Sequence, residues 1–273
     1  MNALPGERRA EETLSAAEAN RRYYAERAAE YDETEECMTL ERHRNRLRRV
    51  LSAAVAAAPA GDRVLDACGG SGYASLELGA MGLDVVTVDI SPDMLAIYER
   101  KASAAGLTAT VEVGEIASFL SLSRDRWDLV VFSSALHHLD DYRGVLDAVH
   151  ERLVPGGVIA TVFDPIAGGK LVQVIRYADY LLWLGVTQPR AFLGRLGHRA
   201  AQTGASSDSV GRVAERHALT GIDDLALAGH FEDGGLEVIL HERSYEARFA
   251  AIRGLLRLLA RPTAFAFVVR RAT

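Results

Sequence analysis

The stretch Val64-Leu65-Asp66-Ala67-Cys68-Gly69-Gly70-Ser71-Gly72-Tyr73 decides the fold of this chain. A short apolar run ends in a glycine-rich turn, and a helix begins directly after it. Glycine lets the backbone come close to a ligand, and the first N–H groups of a helix have no partner within it. The next apolar run, Leu83-Asp84-Val85-Val86-Thr87-Val88, ends in Asp89. An ionised carboxylate only accepts hydrogen bonds, so at a strand tip it suits the paired hydroxyls of a ribose. Together the two features predict a nucleoside-containing ligand at the carboxyl edge of a parallel sheet.

Working outward, strands at 63–67, 84–88, 109–113, 127–132 and 157–163 alternate with helices at 72–81, 92–105 and 141–153. That alternation predicts a parallel sheet with helices on both faces. Upstream, a helical pattern begins at Ser15 and places Tyr24, Ala28 and Tyr31 on one face. A second helix spans 40–58 and ends near Pro59-Ala60-Gly61. Downstream, a helix starts near Thr220, a strand covers Leu236–Tyr245, an amphipathic helix Ala247–Ala260 and a last strand Thr263–Arg270. The chain so divides into amino-terminal helices at 1–58, a core at 59–165 with 220–273, and an intervening segment at 166–219; a lid for the first and an inserted cap for the last are what the family resemblance described below implies. In the cap, Leu171, Val174, Ile175, Ala178, Leu181 and Leu182 share a face, while 203–209 reads as a mobile loop. That face serves equally as a cap over an acceptor pocket or as a dimer surface, so monomer and homodimer both stand.

Composition bounds the partners. A net charge of −6 gives no general attraction to nucleic acid or to an anionic membrane. The two cysteines, Cys37 and Cys68, are too few for a disulfide framework or a zinc cluster. No histidine is spaced with Asp or Glu as metal ligands are. The amino terminus lacks a signal-peptide core and no apolar run reaches spanning length, so a soluble cytoplasmic protein is expected.

The order Asp66, three residues, Gly70, Ser71, Gly72 resembles motif I of class I S-adenosylmethionine-dependent methyltransferases. Cys68 stands where that family places its first glycine. Val88-Asp89-Ile90-Ser91-Pro92 resembles the family's second motif, and Gly114-Glu115-Ile116 its third. Trp127 to Leu139 is similar to the fourth strand and its loop, and Leu153 to Ala160 to the turn into strand five. The resemblance implies a Rossmann-like α/β fold with a seven-stranded, mostly parallel sheet and a terminal antiparallel pair. It implies S-adenosylmethionine as cofactor and S-adenosylhomocysteine as product. The cofactor would be held by Tyr31, Asp66, Cys68, Gly70, Gly72, Asp89, Ile90, Glu115, Ile116 and Ser133. The profile is similar to ubiquinone-type and natural-product tailoring enzymes that act on a small, fairly apolar acceptor.

Several of these residues carry two readings. Asp66 either meets the cofactor's amino group or supports the loop. Cys68 is a small buried residue before it is a nucleophile. Tyr31 either closes over the cofactor or packs on the sheet. His137 and His138 follow strand four, where an imidazole can take a proton from a hydroxyl under attack. His137 is placed slightly ahead of His138, against the reading that the pair only shapes a turn. Asp164, at the end of strand five, orients that imidazole, binds the acceptor hydroxyl or caps the turn before Pro165. O-methylation leads, with C- or N-methylation behind it. Two competing functions are a methyltransferase fold used for cyclisation or decarboxylation, and a nicotinamide oxidoreductase.

Overall fold

The computed structural model describes residues 16–28, 31–34, 40–187 and 220–273. Seven strands form one sheet in the order β3-β2-β1-β4-β5-β7-β6. They are β1 (Arg63–Ala67), β2 (Asp84–Asp89), β3 (Thr110–Val113), β4 (Trp127–Ser133), β5 (Leu153–Pro165), β6 (Leu236–Ser244) and β7 (Ala264–Arg271). The first five are parallel, and β7 runs antiparallel between β5 and β6. The expected Rossmann-like sheet with its terminal antiparallel pair is what the chain adopts. From β1 the chain builds β2 and β3 on one side, then returns to place β4 on the other. That reversal opens a crevice at the carboxyl ends of β1 and β4.

The period of two along each strand divides the core. Val64, Leu129, Val131, Ala266 and Val268 face one side, where Leu47, Val50, Leu51 and Ala54 pack on them. Leu65, Val130, Phe132, Phe265 and Phe267 face the other, against Leu146, Val149, Leu227 and Phe231. Each such Leu or Phe side chain contributes about 1.5–3 kcal/mol by leaving water.

The helices are α1 (Ala16–Arg27), α2 (Tyr31–Thr34), α3 (Glu41–Ala57), α4 (Tyr73–Ala80), α5 (Pro92–Ala104), α6 (Ile116–Leu122), α7 (Tyr142–Arg152), α8 (Lys170–Thr187), α9 (Asp224–Asp233) and α10 (Ala250–Leu258). Helix α5 starts as its sequence demands, with Ser91 accepting from the Met94 N–H and Pro92 in the first turn. Helix α6 was not expected: its seven residues are too short for a clear helical period. Strand β5 begins at Leu153, four residues before the expected start, because Leu153 already pairs with Trp127; the ladder resumes at Val158 after a bulge through Gly156, whose φ is 77°.

Two expected boundaries move. Helix α3 supplies Leu47, Val50, Leu51 and Ala54 to the core, so the lid assignment for 1–58 does not extend to it. Helix α8 buries Val172, Ile175, Asp179 and Leu184 and exposes Leu171, Val174 and Leu182, so its buried face is not the one the apolar spacing indicated. The cause is Asp179, whose carboxylate accepts from the Arg248 and Phe249 N–H groups at 2.9 and 3.1 Å and caps α10. Ile175 then packs on Ala247 and Leu256. The insertion leaves and rejoins the core at one place, where Ile166 and Ile222 form a parallel bridge. Cys37, His217 and the loop 203–209 lie outside the described residues.

Candidate active site

Three adjacent strands carry a non-glycine residue with positive φ near their carboxyl ends: Cys68 at 59° just after β1, Ser134 at 55° just after β4, and Phe163 at 69° two residues before the end of β5. An L-residue there costs about 1–2 kcal/mol. The carboxyl edge thus concentrates backbone strain, as sites that hold a ligand often do. A cavity of about 290 Å³ opens along this edge.

The glycine loop forms one wall. Gly70, at φ 54°, has Met94 Cε at 3.4 Å and Asp89 Oδ2 at 4.0 Å from the place of a Cβ, and it faces the cavity. Gly72, at φ 80°, does not line the cavity; a Cβ there would overlap the Tyr98 ring. Its expected cofactor contact is therefore corrected: this glycine is required by helix packing. Asp66 takes the loop-supporting role, one of the two expected of it. It is fully buried behind the loop, accepts from the Ser75 N–H at 3.0 Å and from the Ser75 hydroxyl, and is absent from the cavity wall. Burial pushes its carboxyl up to about 7, against the lowering effect of Ser75. Cys68 does line the cavity, and burial with nearby carboxylates pushes its thiol well above the usual range, so it stays protonated.

Asp89 sits at the cavity on the tip of β2. Its Oδ2 accepts from the Gly70 N–H at 2.8 Å and its Oδ1 from the Ser91 N–H at 2.8 Å. Burial raises its pKa, and these two bonds, together with the Ile90 N–H, oppose the rise. Each oxygen keeps a second lone pair for a hydroxyl donor. Ile90, Glu115 and Ile116 continue the wall, with Leu139 and Val145 across from the loop segment. Ser133 lines it too, as does Ser134, which no sequence signal indicated.

The other wall is the turn Leu136–His138. His138 lines the cavity and His137 does not, which reverses their expected order. His137 instead sits beside Asp164, with Nδ1 2.9 Å from Oδ1, and its backbone N–H donates to the same oxygen at 3.2 Å. Asp164 is wholly buried, and burial pushes it up to about 7. It orients His137 and has no place on the cavity wall, so the expected contact with an acceptor hydroxyl is not formed by this geometry. The two imidazole rings lie 3.9 Å apart.

Helices α1 and α2 cross the opening. Asn20 Nδ2 donates to the His138 carbonyl at 3.1 Å, and the Tyr24 hydroxyl is 2.8 Å from His138 Nε2. Tyr31 lines the cavity and meets Tyr24 edge to face at 5.8 Å. Asp32 accepts from the Ser71 hydroxyl at 2.7 Å and pairs with Lys101 at 2.8 Å, tying α2 to the glycine loop. The sequence reading placed Tyr24 on a helix face but missed Asn20, Ser71 and Asp32; their partners are 30 to 118 residues away. Among the described residues, none from α8 lines the cavity.

Residues 64–157 match the family described as methyltransferase domain. The demethylmenaquinone methyltransferase of Thermus thermophilus is 33% identical over 144 residues, which cover 50% of this chain and 64% of that protein. The tRNA 5-carboxymethoxyuridine methyltransferase of Escherichia coli is 31% identical over 106 residues, 37% of this chain and 40% of that one. An uncharacterised Mycobacterium tuberculosis protein matches at 30% over 129 residues, 46% of each. The chain spans about half the length of the curated relatives it matches. Among solved structures, magnesium protoporphyrin IX methyltransferase from Synechocystis, with S-adenosylmethionine bound, aligns over 95% of this chain and 99% of that one. Its TM-score is 0.58 at 12% identity. The cyclase SpnF aligns over 95% of this chain and 97% of its own with a TM-score of 0.62 at 12% identity. At such identities the likeness concerns the fold. Residues 64–157 are thus similar to the methyltransferase domain family, in a chain that shares the Rossmann-like fold of the class I methyltransferases.

Proposed function

We propose that this chain transfers a methyl group from S-adenosylmethionine to a small, fairly apolar acceptor, with a hydroxyl as the leading nucleophile and S-adenosylhomocysteine as the product. The observation that carries this reading is Asp89, a buried carboxylate held by two backbone N–H groups at the tip of β2 and open to the cavity. Its spare lone pairs suit a ribose diol, Ile90 and Ile116 suit a flat base, and Gly70 leaves room at the loop, so the residues present fit the cofactor. The solved neighbour with bound S-adenosylmethionine supports the same choice.

When bound, the cofactor supplies an electrophilic methyl group. The chain's own part is to align an acceptor, exclude water and remove a proton. His138, on the cavity wall, is the base. His137 and Asp164 stand behind it, and above about pH 7, where Asp164 is ionised, its carboxylate favours positive charge on the pair of rings. Helices α1 and α2 act as the lid, through the contacts of Asn20 and Tyr24 with His138 and of Asp32 with Ser71. The segment 166–219 is a cap or a homodimer surface. A role in cytoplasmic quinone-type or natural-product biosynthesis fits the demethylmenaquinone methyltransferase relative.

A second reading keeps the bound cofactor but not the transfer, and SpnF, named as a cyclase on the same fold, favours keeping it in view. The nicotinamide reading is disfavoured by the antiparallel β7 between β5 and β6. Calorimetry with S-adenosylmethionine, S-adenosylhomocysteine and NAD tests all three. Binding of the two sulfur nucleosides alone, weakened at least about tenfold by Asp89→Ala, is expected. Binding of NAD, or of nothing, sinks the proposal. Cofactor binding with a product of unchanged methyl count moves the function to the second reading.

A further inference from the structure

The chemistry on the lid deepens the methyl-transfer reading and rests on it. His138 Nε2 is 2.8 Å from the Tyr24 hydroxyl, and both residues line the cavity. Tyr24 belongs to α1, which also reaches the carbonyl of His138 through Asn20. Methyl transfer requires water to be excluded, and the docked α1 that excludes it is the state in which Tyr24 occupies Nε2. An acceptor proton bound for that nitrogen then passes through the tyrosine oxygen.

We propose that Tyr24 is a catalytic residue, a hydroxyl relay that takes the proton of a phenolic acceptor as it passes its own to His138. The acceptor O–H proton moves to the Tyr24 oxygen, and the Tyr24 proton moves to Nε2. The acceptor oxygen forms its bond to the methyl carbon as the carbon–sulfur bond breaks, with that electron pair left on sulfur. His138 ends as an imidazolium beside His137 and Asp164, and the methylated acceptor is neutral.

The acceptor class follows from the relay. A tyrosine hydroxyl titrates near 10, so exchange with a phenol is nearly level in energy, whereas an aliphatic alcohol is a far weaker acid. The surroundings agree. Tyr24 meets the Tyr31 ring edge to face at 5.8 Å and the His138 ring at 5.5 Å, and Tyr31 shares the cavity wall. An aromatic acceptor finds ring edges and faces there of the kind it stacks on.

The test uses Tyr24→Phe, which keeps the ring contacts and removes the hydroxyl. In cofactor-free protein with 15N-labelled histidine, at a pH where the ring is neutral, His138 Nε2 is expected to be the proton-free nitrogen, and the variant shifts its resonance. A proton on Nε2 in the parent overturns the relay, because Tyr24 then accepts instead of donating. With S-adenosylmethionine, the parent is expected to methylate members of a panel of monohydroxy and dihydroxy aromatic compounds in preference to aliphatic alcohols. The variant is expected to bind the cofactor within about twofold of the parent and to turn over about tenfold to a hundredfold more slowly. Transfer that survives in the variant, or a preference for aliphatic alcohols, overturns the relay and leaves methyl transfer standing. Cofactor binding without transfer to any hydroxyl in either panel overturns both.

Discussion

The loop after β1 and the turn after β4 lie side by side on one sheet edge, and each pivots on a non-glycine residue in the left-handed region, Cys68 and Ser134. Each is backed by a carboxylate with no exposure, Asp66 and Asp164, and burial pushes both up to about 7. The difference lies in what each carboxylate holds. Asp66 binds Ser75, nine residues on, so the loop and the start of α4 make a closed local unit. Asp164 binds His137 from 27 residues away, and the adjacent His138 finds Tyr24 across 114. The first half of the site is assembled by local sequence to receive a ligand of fixed chemistry. The second is assembled only by the folded chain, and its His138 faces the cavity.

The largest effect that sharpens this contrast is on turnover. His138→Gln is expected to lower it by about a hundredfold to ten-thousandfold with cofactor binding retained, while His137→Gln gives a smaller fall, since His137 acts from behind the wall. Equal losses, measured as initial rates at saturating cofactor, would break the assignment of roles.

Next comes a pair of glycines in the same loop. Gly72→Ala is expected to cost about 3 kcal/mol, from the left-handed φ and the overlap with Tyr98. Gly70→Ala is expected to cost about 1 kcal/mol of stability, yet to weaken cofactor binding more per unit of stability lost, because it faces the cavity. Urea unfolding beside calorimetry on both variants separates the two effects.

The smallest effect is a pH slope. In the folded state Asp66 and Asp164 keep their protons up to about pH 7, whereas unfolded carboxyls release them near 3.8. The native state then binds more protons across that window. These groups therefore lower stability as pH rises from about 4 to 7 and add no further loss above it. Asp66→Asn and Asp164→Asn each remove one such slope, so each variant should gain in urea midpoint relative to the parent over that range. Only Asp164→Asn should also slow turnover at saturating cofactor. A variant whose midpoint follows the parent at both pH 5 and pH 8 would show that its carboxyl is ionised throughout.

Glu246 gives an opposite slope at lower pH. It is drawn down to about 2 against the cost of burial by its bond to His43 and the charge of Arg46, so its contribution is full above about 4.5 and is lost as pH falls towards 2. Glu246→Gln should flatten that acid limb of the stability curve.

How much could be read before folding follows from the range over which each feature is determined. Short apolar runs marked β1, β2 and β4 because burial on both faces makes a strand apolar along nearly its whole length. Asp89 was legible because a single acid ending an apolar strand is set by its neighbours, and its two donors, Gly70 and Ser91, are close in the chain. The buried face of α8 was not legible. Its apolar residues run nearly all round the helix, and Asp179, a polar residue, decides the docking by capping α10.

By itself the sequence determined the strands of the parallel sheet, most of the helices between them and the acid at the tip of β2, because turn composition and strand composition act locally, while the antiparallel end followed from the family resemblance. Tertiary structure decided that Gly72 serves Tyr98, that Asp66 stands behind the loop, that α3 joins the core and that His138 rather than His137 faces the cavity. Each of these depends on which side of a turn a residue occupies once distant segments have packed. Sequence spacing carries no information about that choice until the contacts are made.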